Sequence, residues 1–426
     1  MTLLLHSSRD LPDPASYRFW FPTTGTQAAL DAERKLPRLA ARLEGAFAAC
    51  RTLWWRLGRE MGAAGTADIA VTPTGSSMGS DFGVMLAWSR LTGEMAAGDE
   101  TCLAVCDDPW LFRHLAGIPG VRAGRPPSLW VRRARLRLRG VLARCRVSLS
   151  VAIAALRLGR LRGAHAGGES VLLVYGHPWS DAHGFDAYFD VLMERLPAVK
   201  RLLHTDCPAR RALELTADGR TASLHGWGSP FRALGLVAAR WRPERRHTEG
   251  RYGWLVRRAA DKENGGGAPA MNRWYLHCQE RWLASAQPAR IAWPWENHAW
   301  ERGLCRAARR LGVRTIGYQH AVIGPHKLNY STASTRTAWT ASPTSSSPTG
   351  RPTMPRRRPG ACPKSASSSA ARSVSGAPKR TSTMPGDPYS FRCRRIRTRP
   401  ANWWRRPGPS PTAGAPCWSR TIPCTR

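Results

Sequence analysis

Residues 289–331 read ARIAWPWENHAWERGLCRAARRLGVRTIGYQHAVIGPHKLNYS, and this stretch decides the fold. The apolar run 291–293 predicts a short strand. Apolar residues at helical spacing follow, which predicts an amphipathic helix over 297–311 with Asn297 as its N-cap and Gly312 just past its end. The β-branched run that comes next predicts a second strand. The stretch is therefore expected to form a β-α-β unit.

The geometry of such a unit brings two ionisable residues to one place. Parallel strands joined by a crossover helix end on the same edge of a sheet, and open α/β folds bind ligands at that edge. Glu296 follows the first strand and His320 follows the second. We expect the carboxylate and the imidazole to share one crevice.

The quoted stretch resembles bacterial surface-carbohydrate biosynthesis proteins, which are related to capsule and lipopolysaccharide glycosyltransferases of the GT-B type. The resemblance lies in WPWENHAWERGL and RTIGYQHAVIGPHKLNYS; it is diffuse over the rest of 1–330 and stops at Ser331. It implies transfer of a sugar from a nucleotide-sugar, as substrate, to a glycan or lipid-linked acceptor. It implies no resident cofactor and no metal held by protein ligands.

Inverting glycosyl transfer needs a base for the acceptor hydroxyl and groups that hold the leaving diphosphate. We assign the base to His320, with a hydrogen-bonded structural histidine as the alternative. Glu296 would orient that imidazole, bind a sugar hydroxyl or act as the base itself. The further substrate contacts expected from the same stretch are Gln319, Tyr318, His298, His326 and Lys327.

A second group of polar residues follows the strand expected at 170–175. His177 and Asp181 stand just past its carboxyl end, where they could contact the acceptor. Their residue types also suit a metal ion. The alternative for Asp181 is a structural one, as the cap of the next helix.

Charge and composition divide the chain at about residue 331. The net charge is +36, and residues 331–426 contain 18 basic residues, one acid, 15 of the 33 prolines and no leucine. Such a segment cannot bury enough apolar surface to offset its chain entropy, so disorder is expected. We interpret the abrupt change as translation out of frame near Ser331. A natural basic, proline-rich tail is the alternative.

The resemblance, taken together with this composition, implies one fold and one function. Residues 1–330 are expected to form the Rossmann-like parallel sheet of a GT-B first domain, with an added helical segment at 130–162. The second domain, which holds the donor in GT-B enzymes, is expected to be missing, so the chain would be a truncated and inactive glycosyltransferase-like protein. The N-terminus lacks the features of a signal peptide, which favours a cytoplasmic location.

The segment 130–162 carries ten arginines around the apolar run 147–158. This pattern favours attachment to an anionic surface at the inner face of a membrane, because the run is too short to cross a bilayer. A helical hairpin with solvated arginines is the alternative. A noncatalytic protein that binds nucleic acid or a membrane surface is the rival function, but no nucleic-acid-binding signature is present, so nucleic acid is not expected as a partner.

Three local features complete the expected secondary structure. The segment 68–75 predicts a buried strand leading into a glycine-rich loop. Residues 26–62 predict two helices separated by Pro37. Asp107 and Asp108 end another strand, and we expect a helix cap there in preference to a metal or sugar site.

Overall fold

Two parallel β-sheets organise the chain, where the sequence predicts one. The computed structural model describes residues 3–24, 30–62, 66–74, 79–164, 168–296, 298–318, 326 and 345–346. These described residues belong to one compact unit. The mixed α/β class with parallel strands is as predicted, but the expected single sheet over 1–330 is wrong.

The first sheet comes from the N-terminal third of the chain, with the strand order β2-β3-β1-β4. All of its pairings are parallel. Every residue of the central β3 is buried, because both faces of this strand are covered. The strands are β1 (Leu3–His6), β2 (Phe19–Thr24), β3 (Cys102–Cys106) and β4 (Val121–Ala123).

The second sheet has the order β10-β9-β8-β5-β6-β7, again all parallel. Its core lies on both faces, with large aromatic side chains such as Trp274, Trp282 and Trp293 buried on one of them. The strands are β5 (Ser170–Val174), β6 (Lys200–Leu203), β7 (Thr221–Ser223), β8 (Arg290–Pro294), β9 (Arg314–Tyr318) and β10 (Ser345–Ser346).

Helices cover the sheets and connect them. The helices are α1 (Leu39–Gly62), α2 (Phe82–Ala96), α3 (Pro109–Leu115), α4 (Leu129–Leu158), α5 (Leu192–Arg195), α6 (Ala209–Leu215), α7 (Pro230–Leu234), α8 (Arg245–Glu249), α9 (Gly253–Asn264), α10 (Ala268–Ala286) and α11 (Ala299–Arg310).

The helix α9 ties the later part of the chain to the first sheet. Leu255, Val256 and Ala259 of α9 are buried in the core of the first sheet. On the same helix, the buried Arg258 donates to both carboxylate oxygens of Asp81 at 2.8 and 2.7 Å, and to Asp108 at 2.7 Å. This buried ion pair joins segments that lie far apart in sequence.

The β-α-β unit is confirmed. β8 and β9 pair in parallel and are joined by α11. Gly312 has the left-handed conformation (φ 70°) expected just past the helix end. The helix begins at Ala299 with His298 as its N-cap, so the expected start at Asn297 is wrong; Asn297 itself lies outside the described residues. The carboxylate of Glu301 accepts the backbone N–H of His298 at 3.2 Å, which is the contact that fixes this start.

Segment 68–75 is not a strand where it is described. Residues 67–69 and 72–74 form single 3₁₀ turns. The carboxylate of Glu263 accepts the backbone N–H groups of Val71 and Thr72 at 3.0 and 2.6 Å. Because these donors are satisfied by a side chain, they are not available for a sheet ladder.

The helical predictions hold in part. Residues 30–62 contain one helix, α1, because the chain before Leu39 forms a 3₁₀ turn instead of a first helix. Segment 130–162 is a continuous helix of 30 residues followed by 3₁₀ turns, so the alternative of a helical hairpin is wrong. In the described part of the chain, no helix is long and apolar enough to span a membrane.

The tail predicted to be disordered falls almost entirely outside the described residues. Ser345 and Ser346 are described, and they pair in parallel with Ile316 and Gly317 of β9. β9 can accept them because its outer side would otherwise leave backbone groups unpaired.

Candidate functional site

Four ionisable side chains meet at the carboxyl edge of the second sheet. His204 and Asp206 follow β6, while Glu296 and His298 follow β8. β5 lies between these two strands in the sheet, and its next residue, Tyr175, belongs to the same cluster. We call these five residues the edge cluster.

The first imidazole–carboxylate pair of the edge cluster lies within the loop after β8. Nε2 of His298 lies 2.9 Å from Oε2 of Glu296, and the side chains are 45 % and 34 % exposed. The buried Glu301 holds the loop by accepting the backbone N–H of Glu296 at 3.2 and 3.1 Å. The pair is therefore accessible and fixed in position.

Burial alone would lower the pKa of His298, but the surrounding carboxylates outweigh it. The hydrogen bond to Glu296 and the charges of Glu301, Glu296 and Asp206 raise the pKa above its ordinary value. The imidazolium form is therefore favoured, and His298 is suited to donate a proton or to meet an anion. Asp206, in the loop after β6, is one of the charges that raise the pKa of His298.

The second imidazole–carboxylate pair lies in the loop after β6. Nδ1 of the buried His204 is 3.3 Å from Oδ2 of Asp206, whose side chain is 52 % exposed. The hydroxyl of Tyr275 on α10 donates to Oδ1 of the same carboxylate. Desolvation raises the pKa of Asp206, but His204, Tyr275 and His298 lower it more, so the carboxylate stays ionised.

Aromatic rings enclose the imidazole of His204. The ring centroids of Tyr275 and Trp300 each lie 4.4 Å from that of His204, and the centroid of Tyr175 lies 5.2 Å away. Burial and the nearby carboxylates raise the pKa of Tyr175 well above its ordinary value. Its hydroxyl therefore remains neutral and can donate a hydrogen bond.

The buried His225 is hydrogen-bonded to the backbone of the loop after β6. Trp274 donates its indole N–H to Nδ1 of His225 at 3.1 Å, so the other ring nitrogen carries the proton and donates to the carbonyl of Thr205 at 3.0 Å. Burial lowers the pKa of His225 to about 4, which keeps it neutral. His225 therefore positions the backbone between His204 and Asp206.

The site residues predicted within 296–327 divide into three groups. Glu296, His298 and Tyr318 lie together at the carboxyl edge, where the carbonyl of Tyr318 accepts the backbone N–H of Trp295 at 2.8 Å. His326 lies elsewhere, with Nε2 2.8 Å from Oε2 of Glu44 on α1. The predicted residues outside the described part of the chain are Gln319, His320 and Lys327.

His177 and Asp181 lie in the loop after β5, as expected, but the hydrogen bonds of their side chains stay within that loop. One oxygen of Asp181 accepts the backbone N–H groups of His183, Gly184 and Phe185 at 2.8 to 3.1 Å. Nδ1 of His177 accepts the backbone N–H of Trp179 at 3.2 Å. These contacts make Asp181 the anchor of a turn. The next helix, α5, begins at Leu192 with Val191 as its N-cap, so the expected helix cap at Asp181 is wrong.

Sequence reasoning missed His204, Asp206 and Tyr175. One signal could have found them, because the strands at 170–175 and 200–204 are both visible in the sequence. If both belong to one parallel sheet, the residues after them must meet at the carboxyl edge. Among the described residues, no group of three or more His, Cys, Asp or Glu side chains is arranged to hold a metal ion.

Comparison with known proteins does not identify the chain. No model of a protein family matches it, and no match was found among curated proteins or among solved structures. The edge cluster is therefore the starting point for a functional proposal.

Proposed function

We propose that the chain is a glycosyltransferase-like protein that transfers a sugar from a nucleotide-sugar to a hydroxyl of a glycan or lipid-linked acceptor, with the edge cluster as its active site. The observation that carries the proposal is the pair of accessible carboxylates, each held by an imidazole, at the carboxyl edge of a parallel sheet. Ligands of open α/β sheets bind at such edges. Two parallel sheets in one chain also support the GT-B type.

The two imidazole–carboxylate pairs of the edge cluster suit different tasks in this reaction. Glu296, paired with His298, accepts the proton of the acceptor hydroxyl, and the imidazolium of His298 stabilises the charge of the leaving diphosphate. Asp206 remains ionised, and its exposed oxygen accepts hydrogen bonds from sugar hydroxyls. Tyr175 adds a neutral donor.

The second sheet also changes the expectation that the chain is inactive. That prediction rested on a donor domain lost beyond residue 331. Five of the six strands of a second parallel sheet lie instead within 170–318, together with the edge cluster. An out-of-frame tail remains a prediction, but it no longer implies the loss of the donor site, which we place at this sheet.

A binding screen tests this proposal. The purified chain is heated with each member of a panel of nucleoside diphosphate sugars, and release of the nucleoside diphosphate is measured for any member that raises the melting temperature. We expect one donor class to raise it, because a ligand that binds the folded state alone stabilises that state. A panel in which no member stabilises the chain or is turned over would contradict the proposal.

The outer face of α4 supports a membrane-held acceptor. Leu138, Leu142, Leu149 and Leu156 are 62 to 67 % exposed. At 100° per residue they fall within an arc of about 40°, opposite the buried face of the helix. We call this arc, with Ile153, the α4 stripe. Its exposure is unusual for a soluble surface and marks a contact site.

Charge identifies the occupant of the α4 stripe. Arg135, Arg146 and Arg157 are exposed along one flank of the stripe, and no acidic residue occurs between residues 129 and 158. Apolar side chains with flanking arginines fit the interface of an anionic bilayer. We therefore place the protein at the inner face of a membrane, where its acceptor would be held.

Replacing both Leu142 and Leu149 with glutamate should weaken binding to anionic vesicles at least about tenfold. Two apolar contacts with the bilayer are lost, and two negative charges are added that the anionic headgroups repel. Sedimentation with phosphatidylglycerol vesicles measures this effect. The matched control is Leu213→Glu with Leu234→Glu, two exposed leucines on α6 and α7. Equal binding by both double variants would show that the α4 stripe is not the membrane contact.

A further inference from the structure

A cavity of about 830 Å³ opens at the carboxyl edge of the first sheet, separate from the edge cluster. It is lined by residues that follow β1, β2, β3 and β4, by the start of α4 and by α9. Its volume is within the range of small-molecule sites. Six cationic and four acidic side chains line it, so its walls carry a surplus of two positive charges.

The acidic side chains of this cavity are already bound by protein donors. Asp81 pairs with Arg258 and Lys262, and Asp108 accepts from Arg258 and from the first turn of α3. Both oxygens of Asp107 accept from Ser8, at 2.8 and 2.6 Å. These carboxylates have little remaining capacity to attract a cation.

Four arginines around the cavity differ from these carboxylates, because no group in the described part of the chain binds their side chains. Arg9, Arg125, Arg132 and Arg135 line it, and among the described residues their side chains have no hydrogen bond or ion pair. The carboxylate of Asp10 accepts the backbone N–H of Arg125 at 3.2 Å, but it forms no ion pair with the guanidinium of Arg125, which lines the cavity. The charge of these arginines is therefore available to a ligand.

The start of α4 gives two of these arginines a defined position. Ser128 is the N-cap, and its hydroxyl accepts the backbone N–H of Val131 at 3.4 Å. Arg132 and Arg135 are one turn apart, so they lie side by side on one face of the helix. A guanidinium pairs with a phosphoryl group through two parallel N–H donors.

We propose that this cavity binds a phosphate ester of the size of an organic diphosphate, held by Arg132 and Arg135 on one side and by Arg125 on the other. The surplus of two charges fits a diphosphate, and the cavity has room for the group esterified to it. The site goes beyond the proposed glycosyl transfer, since it is formed by the first sheet and does not use the edge cluster.

Inorganic pyrophosphate is the probe for this site, measured by calorimetry with the full chain at physiological ionic strength. Arg132→Gln with Arg135→Gln should raise the Kd at least about tenfold, because two charge-assisted contacts are lost. The control, Arg273→Gln with Arg281→Gln, removes the same charge from two exposed positions on α10, away from both the cavity and the α4 stripe, and its Kd should change less than about threefold. Arg125→Gln, on the opposite wall, should also weaken binding.

Vesicles distinguish a soluble ligand from a lipid headgroup. Saturable pyrophosphate binding with the stated pattern supports a phosphate ester in solution. A lipid headgroup is the ligand if pyrophosphate does not bind but the chain binds phosphatidic acid vesicles more tightly than phosphatidylglycerol vesicles. In that case the double variant Arg132→Gln with Arg135→Gln should lose this preference, and the control double variant should keep it. The proposal is overturned if neither ligand is recognised, or if both double variants lose binding equally.

Discussion

Replacing Glu296 with glutamine should lower the turnover of the donor found in the binding screen by about 10²-fold or more. The substitution keeps the shape of the side chain but removes the carboxylate that accepts the proton, and general base catalysis typically contributes a factor of this size. It should also lower the pKa of His298, because the carboxylate of Glu296 is one of the groups that raise it. The affinity for the donor should change less than about threefold.

Three measurements check this prediction: kcat, the Kd of the donor, and the pKa of His298 by NMR. Glu60→Gln on the exposed face of α1 is the control, since it removes the same charge without a change at the edge cluster. A variant that keeps its kcat would remove Glu296 from the chemistry. A parallel fall in affinity and turnover would assign it to donor binding instead.

Replacing Arg258 with methionine should lower the free energy of unfolding by about 3 kcal/mol. Methionine fills much of the same space, but it leaves Asp108 and Asp81 without their shared partner, and breaking a buried ion pair is strongly destabilising. We take the lower end of the usual range because the side chain of Asp81 is 36 % exposed. Chemical denaturation measures the loss.

The control for Arg258 is Arg90→Met, which breaks a half-exposed pair with Glu94 at 2.8 Å on α2. Its effect should be less than about 0.5 kcal/mol, because solvent screens exposed pairs. Equal losses in the two variants would show that the Arg258 pair does not behave as a buried one.

The same ion pair predicts an acid dependence of stability. Desolvation raises the pKa of Asp81, but Arg258 and Lys262 lower it well below its ordinary value. A carboxylate whose pKa is lower in the folded state than in the unfolded state stabilises the fold at every pH above its unfolded-state pKa, about 3.9 for aspartate. This stabilisation is lost as the pH falls below that value. The wild type should therefore lose stability below about pH 4 more steeply than Arg258→Met. Parallel curves for the two proteins would contradict this.

Local patterns predicted the elements near the edge cluster, because their causes are local. The apolar period fixes α11, and Gly312 ends it in the conformation that glycine adopts readily. Glu296 and His298 follow from the same reasoning, since they end β8. The shift of the helix start to His298 depends on a side-chain hydrogen bond from Glu301, which the apolar period does not contain.

Local patterns did not predict which strands pair with each other in each sheet. β4 and β5 are neighbours along the chain, yet α4 separates them into different sheets, while β5 pairs with the distant β8. Because pairing partners are nonlocal, the sequence predicts strands without assigning them to sheets. His204 and Asp206 were missed for this reason. The strand expected at 68–75 failed because the carboxylate of Glu263, 191 residues from Thr72, binds its backbone.

The most direct test of the edge cluster as the donor site is hydrogen exchange, measured by mass spectrometry with and without the nucleotide-sugar that stabilises the chain most. We predict slower exchange in the segments 175–181, 204–208, 295–296 and 298–301, which lie at the carboxyl edge of the second sheet, and no change in 125–135. Protection confined to 125–135, with the edge cluster unaffected, would contradict this account and place the donor in the cavity of the first sheet.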